Sequence, residues 1–199
     1  ENIRTLFWRN SDLNFNNPNS LLKSLEEKPN KDWLRKIHEC EDEKVLKYFL
    51  KKLDLYNFSN AKETLMLLWE CCQIPDFVKK TYGNHIDVVE KVFNFLNSDK
   101  GKIPDNFMHL QLMKLDKLDG NVDSLANRIA NVRTWSYVSN KKNWVESQDY
   151  WIEKTKLLED KLSDRLHEEL TKTFIDKRAS VLARGCLLYT SDAADDVEC

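Results

Sequence analysis

Apolar residues recur at three- and four-residue intervals along most of the chain, the period that places them on one face of a helix. The stretch "SLLKSLEE" forms the first such pattern, with Ser20 as the expected cap and Pro29-Asn30 as the stop. Residues 31–53 continue with Trp33, Leu34 and Ile37, then Val45, Leu46, Phe49, Leu50 and Leu53, an amphipathic stretch with a break expected near Cys40. "SNAKETLMLLWECCQI" is apolar almost all round, which predicts a central buried helix capped by Ser59 or Asn60 and stopped before Pro75. Ile86, Val89, Val92, Phe93 and Leu96 share the next face.

After the Gly101 and Pro104 punctuation comes "NFMHLQLMKL", and after a Gly120 turn Leu125, Ile129, Val132 and Tyr137 or Val138 line another stripe. The longest periodic segment starts after Ser147. There Leu158, Leu162, Leu166, Leu170 and Phe174 recur every four residues beside Ile152 and Leu157, to about Val181, which predicts a helix of roughly 50 Å at about 1.5 Å per residue. Only residues 1–17 alternate, weakly, and read as an extended entry segment. The predicted fold class is all-α: a multi-helix array or bundle with a long C-terminal helix and a short extended N-terminal segment.

Composition agrees. Four Gly, four Pro and 32% charged residues leave few turn signals, and 199 residues with 41% hydrophobic content can fill one sizeable core. The pattern changes abruptly at Cys186, because "CLLYTSDAADDVEC" has no Lys or Arg and no amphipathic period. The chain therefore divides into an extended segment (1–17), a helical domain (18–185) and a tail (186–199) expected to be non-native and disordered. The formal charge is −2, and the tail's four acidic residues account for the difference from +2 without it. Neither value points to a strong polyelectrolyte partner. Cys40, Cys71, Cys72, Cys186 and Cys199 have no framework spacing, which suits a reduced, cytoplasmic setting. No apolar run approaches the roughly 20 residues that span a bilayer, so no membrane partner is expected.

Catalytic chemistry finds little purchase. There is no GxxxxGK[ST] and no GxGxxG, so the chain by itself cannot cradle a nucleoside triphosphate. His38, His85, His109 and His167 lie on different segments without metal-ligand spacing, and no zinc site is expected. Cys71-Cys72 sits in the most apolar helix and reads as core filler. Acid–base pairs such as Glu168-Glu169 beside Arg165 and Lys172 fit a solvated helix face.

One constellation has a functional flavour. Trp135, Tyr137, Trp144, Tyr150 and Trp151 are interleaved with Arg128, Arg133, Lys141 and Lys142, and a second cationic cluster, including Lys177 and Arg178, follows on the long helix. Aromatics that stack on bases and cations that meet phosphates are what single-strand binding requires. Packing of the aromatics between two helices is the competing structural account.

"LLWECCQIPDF" (67–77) and "LQLMKLDKLDGNVDSLANRIANVRTWSYVSNKKNW" (110–144) resemble the C-terminal part of bacterial relatives of the mitochondrial degradosome RNA helicase, a superfamily-two ATP-dependent enzyme. "LEDKLSDRLHEELTKTFIDKRASVLAR" (158–184) looks like the closing helix of that family, and "FWRNSDLNF" (7–15) like the segment after its second motor domain. The resemblance implies a helical accessory region that packs on two upstream motor domains and helps enclose single-stranded RNA or DNA. ATP and Mg belong to the parent chain; for this segment the expectation is no cofactor, no metal and no catalytic residue. The implied nucleic-acid candidates are Arg128, Arg133, Trp135, Lys141, Lys142, Lys177 and Arg178. Arg128 and Arg133 lead for phosphate contact, although a spacing of five turns them to different helix faces. Trp69, Gln73, Ile74, Pro75, Asp76 and Phe77, with Asp119, Gly120, Asp123, Thr134 and Trp135, match the family strings and read mostly as packing or capping. The alternative is a helical protein–protein interaction module with no nucleic-acid role. The tail "CLLYTSDAADD" resembles a translated sequencing adapter, which places the expected native end near Arg184 or Gly185 of a fragment.

Overall fold

The computed structural model describes residues 6–52, 61–79 and 82–192, with side chains as far as Leu182. Among these residues seven helices surround one apolar core, and a single pair of short strands lies at the N-terminal end.

Strand β1 (Leu6–Trp8) pairs in parallel with β2 (Leu34–Lys36), Leu6 opposite Leu34 and Trp8 opposite Lys36. The extended entry is therefore present, but residues 34–36, expected to be helical, are strand. Pairing with β1 overrides the local helical period, a common outcome for short stretches. Helix α1 (Pro18–Glu26) is capped by Asn17 rather than Ser20. The Asn17 side chain accepts from the Ser20 amide at 2.7 Å, and Pro18 fills the first helical position, where its missing N–H costs nothing.

The break near Cys40 is real: α2 (Glu41–Lys52) begins just beyond it, on Glu41, Asp42 and Glu43, whose charges suit a helix N-terminus. Arg9 fastens the strand pair to this helix. Its guanidinium donates to both carboxylate oxygens of Asp42 at 2.8 and 3.1 Å, lies 3.3 Å from Glu43 and covers the Trp69 ring at 5.1 Å.

Helix α3 (Ala61–Cys72) is the central one, burying Leu65, Leu68, Trp69, Cys71 and Cys72. The cap expected at Ser59 or Asn60 lies outside the described residues. Helices α4 (Tyr82–Leu96) and α5 (Asp105–Leu115) follow, and α5 ends in a turn that enters α6 (Val122–Asn140). Helix α7 (Gln148–Asp192) closes the chain.

The most extensive contact in the fold is α6 against α7. They run antiparallel: Arg133 meets Glu159, while further along Arg165 reaches back to the Leu118 carbonyl. Leu125, Ile129, Val132 and Val138 on α6 pack with Trp151, Thr155, Leu158 and Leu162 on α7. Helix α7 is far longer than its partner, 45 residues against 19, or about 68 Å against about 28 Å. The four-residue leucine stripe explains how the contact ends. Each step of four advances about 40° beyond a full turn, so the stripe drifts away from α6. Leu158 and Leu162 are buried, Leu166 and Leu170 are half-buried, and Phe174 is 64% exposed. The backbone stays helical across Cys186 to Asp192, where disorder was expected; residues 186–192 contain no Gly or Pro to stop it.

Candidate nucleic-acid interface

The turn between α5 and α6 is built around Gly120, whose φ of 116° suits glycine and whose absent Cβ would lie 3.0 Å from the Ser124 side chain. Asn121 caps α6 by accepting from the Ser124 amide at 3.0 Å. Arg128, one of the two leading phosphate candidates, folds back onto this turn. Its Nη1 donates to the carbonyls of Lys117, at 2.7 Å, and Asp119. Its guanidinium thus latches the turn. Arg128→Ala should cost about 1–3 kcal/mol, the range for a lost charged hydrogen bond, and open residues 116–121 to proteolysis. Denaturant unfolding and limited digestion read both, and an unaltered digestion pattern would refute the latch.

Arg133 leaves α6 on the other side and donates from Nε to Glu159 at 2.7 Å, bridging α6 to α7 with its guanidinium half exposed. Trp135 is buried, with its ring 5.7 Å edge-on to Phe107, which in turn lies 4.7 Å from Phe95. It cannot stack on a base, a correction to its candidacy: its apolar surface fills the α4–α5–α6 junction. Trp144 and Trp151 are buried as well. Lys141 lies over the Tyr137 and Trp144 rings at 5.2 and 5.7 Å, so its ammonium is engaged by aromatic faces.

Lys142, Lys177 and Arg178 are exposed. They do not share a patch. Lys142 precedes α7, whereas Lys177 and Arg178 sit about 40 Å along it by helical rise. The sequence-predicted aromatic and cationic residues are therefore not assembled into one strand-binding surface; most of them join α6 to its neighbours.

A hub that the sequence gives no sign of lies at Asp105, the first residue of α5. Its Oδ1 accepts from the Trp151 indole at 2.6 Å and from the Ser147 amide at 3.3 Å, and its Oδ2 accepts from the Ser147 hydroxyl at 2.6 Å. Partial burial pushes this carboxyl's pKa upward, but the bonds from Ser147 and Trp151 outweigh it and hold the group below the usual carboxylate range. Beside it, Ile103 bridges to Val145, which closes the loop between α6 and α7 onto the start of α5.

Cys40, Asp42 and Glu43 bring their ligand atoms within 4.8 Å of one another. A divalent ion there would confront the Arg9 guanidinium, which already neutralises both carboxylates. Burial pushes the thiols of Cys71 and Cys72 far above the ordinary cysteine value, so neither is a poised nucleophile.

One of the cavities that the described residues form is lined by both acidic and amide side chains, and no sequence pattern marks it as a site. It has a volume of about 280 Å³ and lies between the turn after α3, the start of α4 and the middle of α6, lined by Asp76, Asn84, His85, Asn131 and Thr134 together with Val78, Val88 and Trp135. The strings 67–77 and 110–144, distant in sequence, meet there.

The geometry defines a helical domain whose charged and aromatic side chains are spent largely on its own packing. Compared with protein-family models, curated proteins and solved structures, the chain finds no match. Among the described residues no helix is long and apolar enough to cross a membrane.

Proposed function

We propose that this chain is the C-terminal accessory domain of a cytoplasmic, ATP-dependent RNA or DNA helicase, docked on the motor domains of its parent chain, where ATP and Mg are bound. The observation that carries the docking half is apolar exposure at two places outside the core. Leu6 and Phe7 on β1 are exposed, Phe7 at 68%, and Phe174, Ile175, Val181 and Leu182 are exposed on the overhanging part of α7. Contiguous apolar surface of this kind marks an interaction face. The strings carrying the resemblance support the reading through their structural roles: the Gly120 turn, its Arg128 latch and the Trp135 anchor give the domain a definite shape.

A helical interaction module without nucleic-acid contact is the second reading, favoured by the internal engagement of Arg128, Arg133 and Trp135. Salt dependence separates the two. Single-stranded RNA binding by the parent enzyme should weaken log-linearly with salt, with a slope of about −0.7 per contacted phosphate. Replacing Arg133, Lys142, Lys177 and Arg178 by Gln should flatten that slope if the domain touches the strand. An unchanged slope would leave the interaction module as the account.

A further inference from the structure

The cavity between α3, α4 and α6 has an unbalanced chemistry. Asp76 Oδ1 accepts from the amides of Val78 and Lys79 at 3.1 and 2.9 Å, leaving Oδ2 without a partner among the described residues. Asn131 gives one amide N–H to the Asn127 carbonyl, which leaves its Oδ1 free to accept beside the second N–H. Thr134 points its hydroxyl proton at the Ala130 carbonyl, which leaves oxygen lone pairs toward the cavity. Among the described residues no lysine or arginine lines the wall. His85, 8% exposed, lines the same cavity, and no described residue is hydrogen-bonded to it. No wholly buried side-chain nitrogen or oxygen among the described residues lacks a partner, and the His85 ring borders the cavity. Burial lowers the His85 pKa against the opposing pull of Asp76 and Glu41, and the neutral ring adds an acceptor as well as a donor.

We infer that this cavity receives the guanidinium of an arginine carried by a protein partner. Three oxygen acceptors on two walls, one of them a carboxylate, match a planar group with five N–H donors better than a point-like ammonium. A nucleotide would bring phosphates toward Asp76 with no cation among the described lining residues to offset them. That the arginine belongs to a docked partner rests on the reading proposed above; the cavity's preference for the group does not.

The test is a titration of the full chain with methylguanidinium, following the His85 ring protons by NMR. We expect a saturable shift, reversed on dilution. Asp76→Asn keeps the Oδ1 that the turn uses and should weaken the probe about tenfold or more, as loss of a charge-assisted bond does. Asn131→Leu, which removes an acceptor while leaving the carboxylate, should weaken it by a smaller factor. Parallel titrations use cytidine and inorganic phosphate. A saturable response to cytidine alone would make this a base pocket, a response to phosphate alone would assign it to the α4 N-terminus, and no response to any probe would leave it a packing defect; each overturns the inference. Because the probe reads the cavity without motor domains, its failure leaves the docking proposal standing, and failed docking leaves the probe result standing.

Discussion

Leu162→Asp should remove a large part of the chain's stability, and Phe174→Asp should leave it close to the parent. Both lie on the same four-residue leucine stripe of α7, and sequence treats them alike. Leu162 is fully buried against α6, however, whereas Phe174 projects beyond the end of that helix. A lone carboxylate forced into the α6–α7 seam must either shed its hydration or open the seam. Either outcome costs about 4 kcal/mol or more, a large part of the 5–15 kcal/mol that typically holds a domain together. Leu166→Asp, at a half-buried position, should fall between them. Urea unfolding of the three variants orders them: 162 worst, 166 intermediate, 174 close to the parent. Equal sensitivity at 162 and 174 would mean that α7 packs along its whole length.

Asp105→Ala should be the most damaging change at a polar position, at about 3 kcal/mol, because it strands the Trp151 indole and both Ser147 donors at the start of α7. It also carries a pH signature. The carboxyl is held below its ordinary value in the folded chain, so the unfolded state binds the proton more readily. The stabilisation is therefore complete above the unfolded-state carboxylate pKa, and it is lost as pH falls through the lower folded value. Asp105→Asn should flatten that acid limb while costing less than alanine. Stability of the parent and both variants between neutral and acid pH checks this, and a parent curve no steeper than that of the asparagine variant would remove Asp105 as the hub.

The helices were legible because their apolar periods are long and well punctuated: Pro104, Gly120 and Ser147 each stand just ahead of a helix. Residues 34–36 misled because a three-residue strand has too few positions to show a period, and its partner β1 lies in a distant stretch of sequence. Ser20 resembles a cap in sequence, but Pro18 at the first helical position marks Asn17, the residue before it, as the cap. The aromatic and arginine constellation was visible as composition, but its use was not. Which way Arg128 folds depends on a turn held by Gly120, and Trp135 is buried with its ring edge-on to Phe107 of another helix. The Asp105 hub and the Asp76–His85–Asn131 cavity each join segments about forty or more residues apart, with no local pattern to announce them.

The reading frame upstream of Glu1 in the source genome tests the central claim most directly. The account predicts two in-frame motor domains, the first carrying a GxxxxGK[ST] strand–loop–helix signature. A start codon immediately ahead of Glu1, with no motor domain in frame, would contradict it.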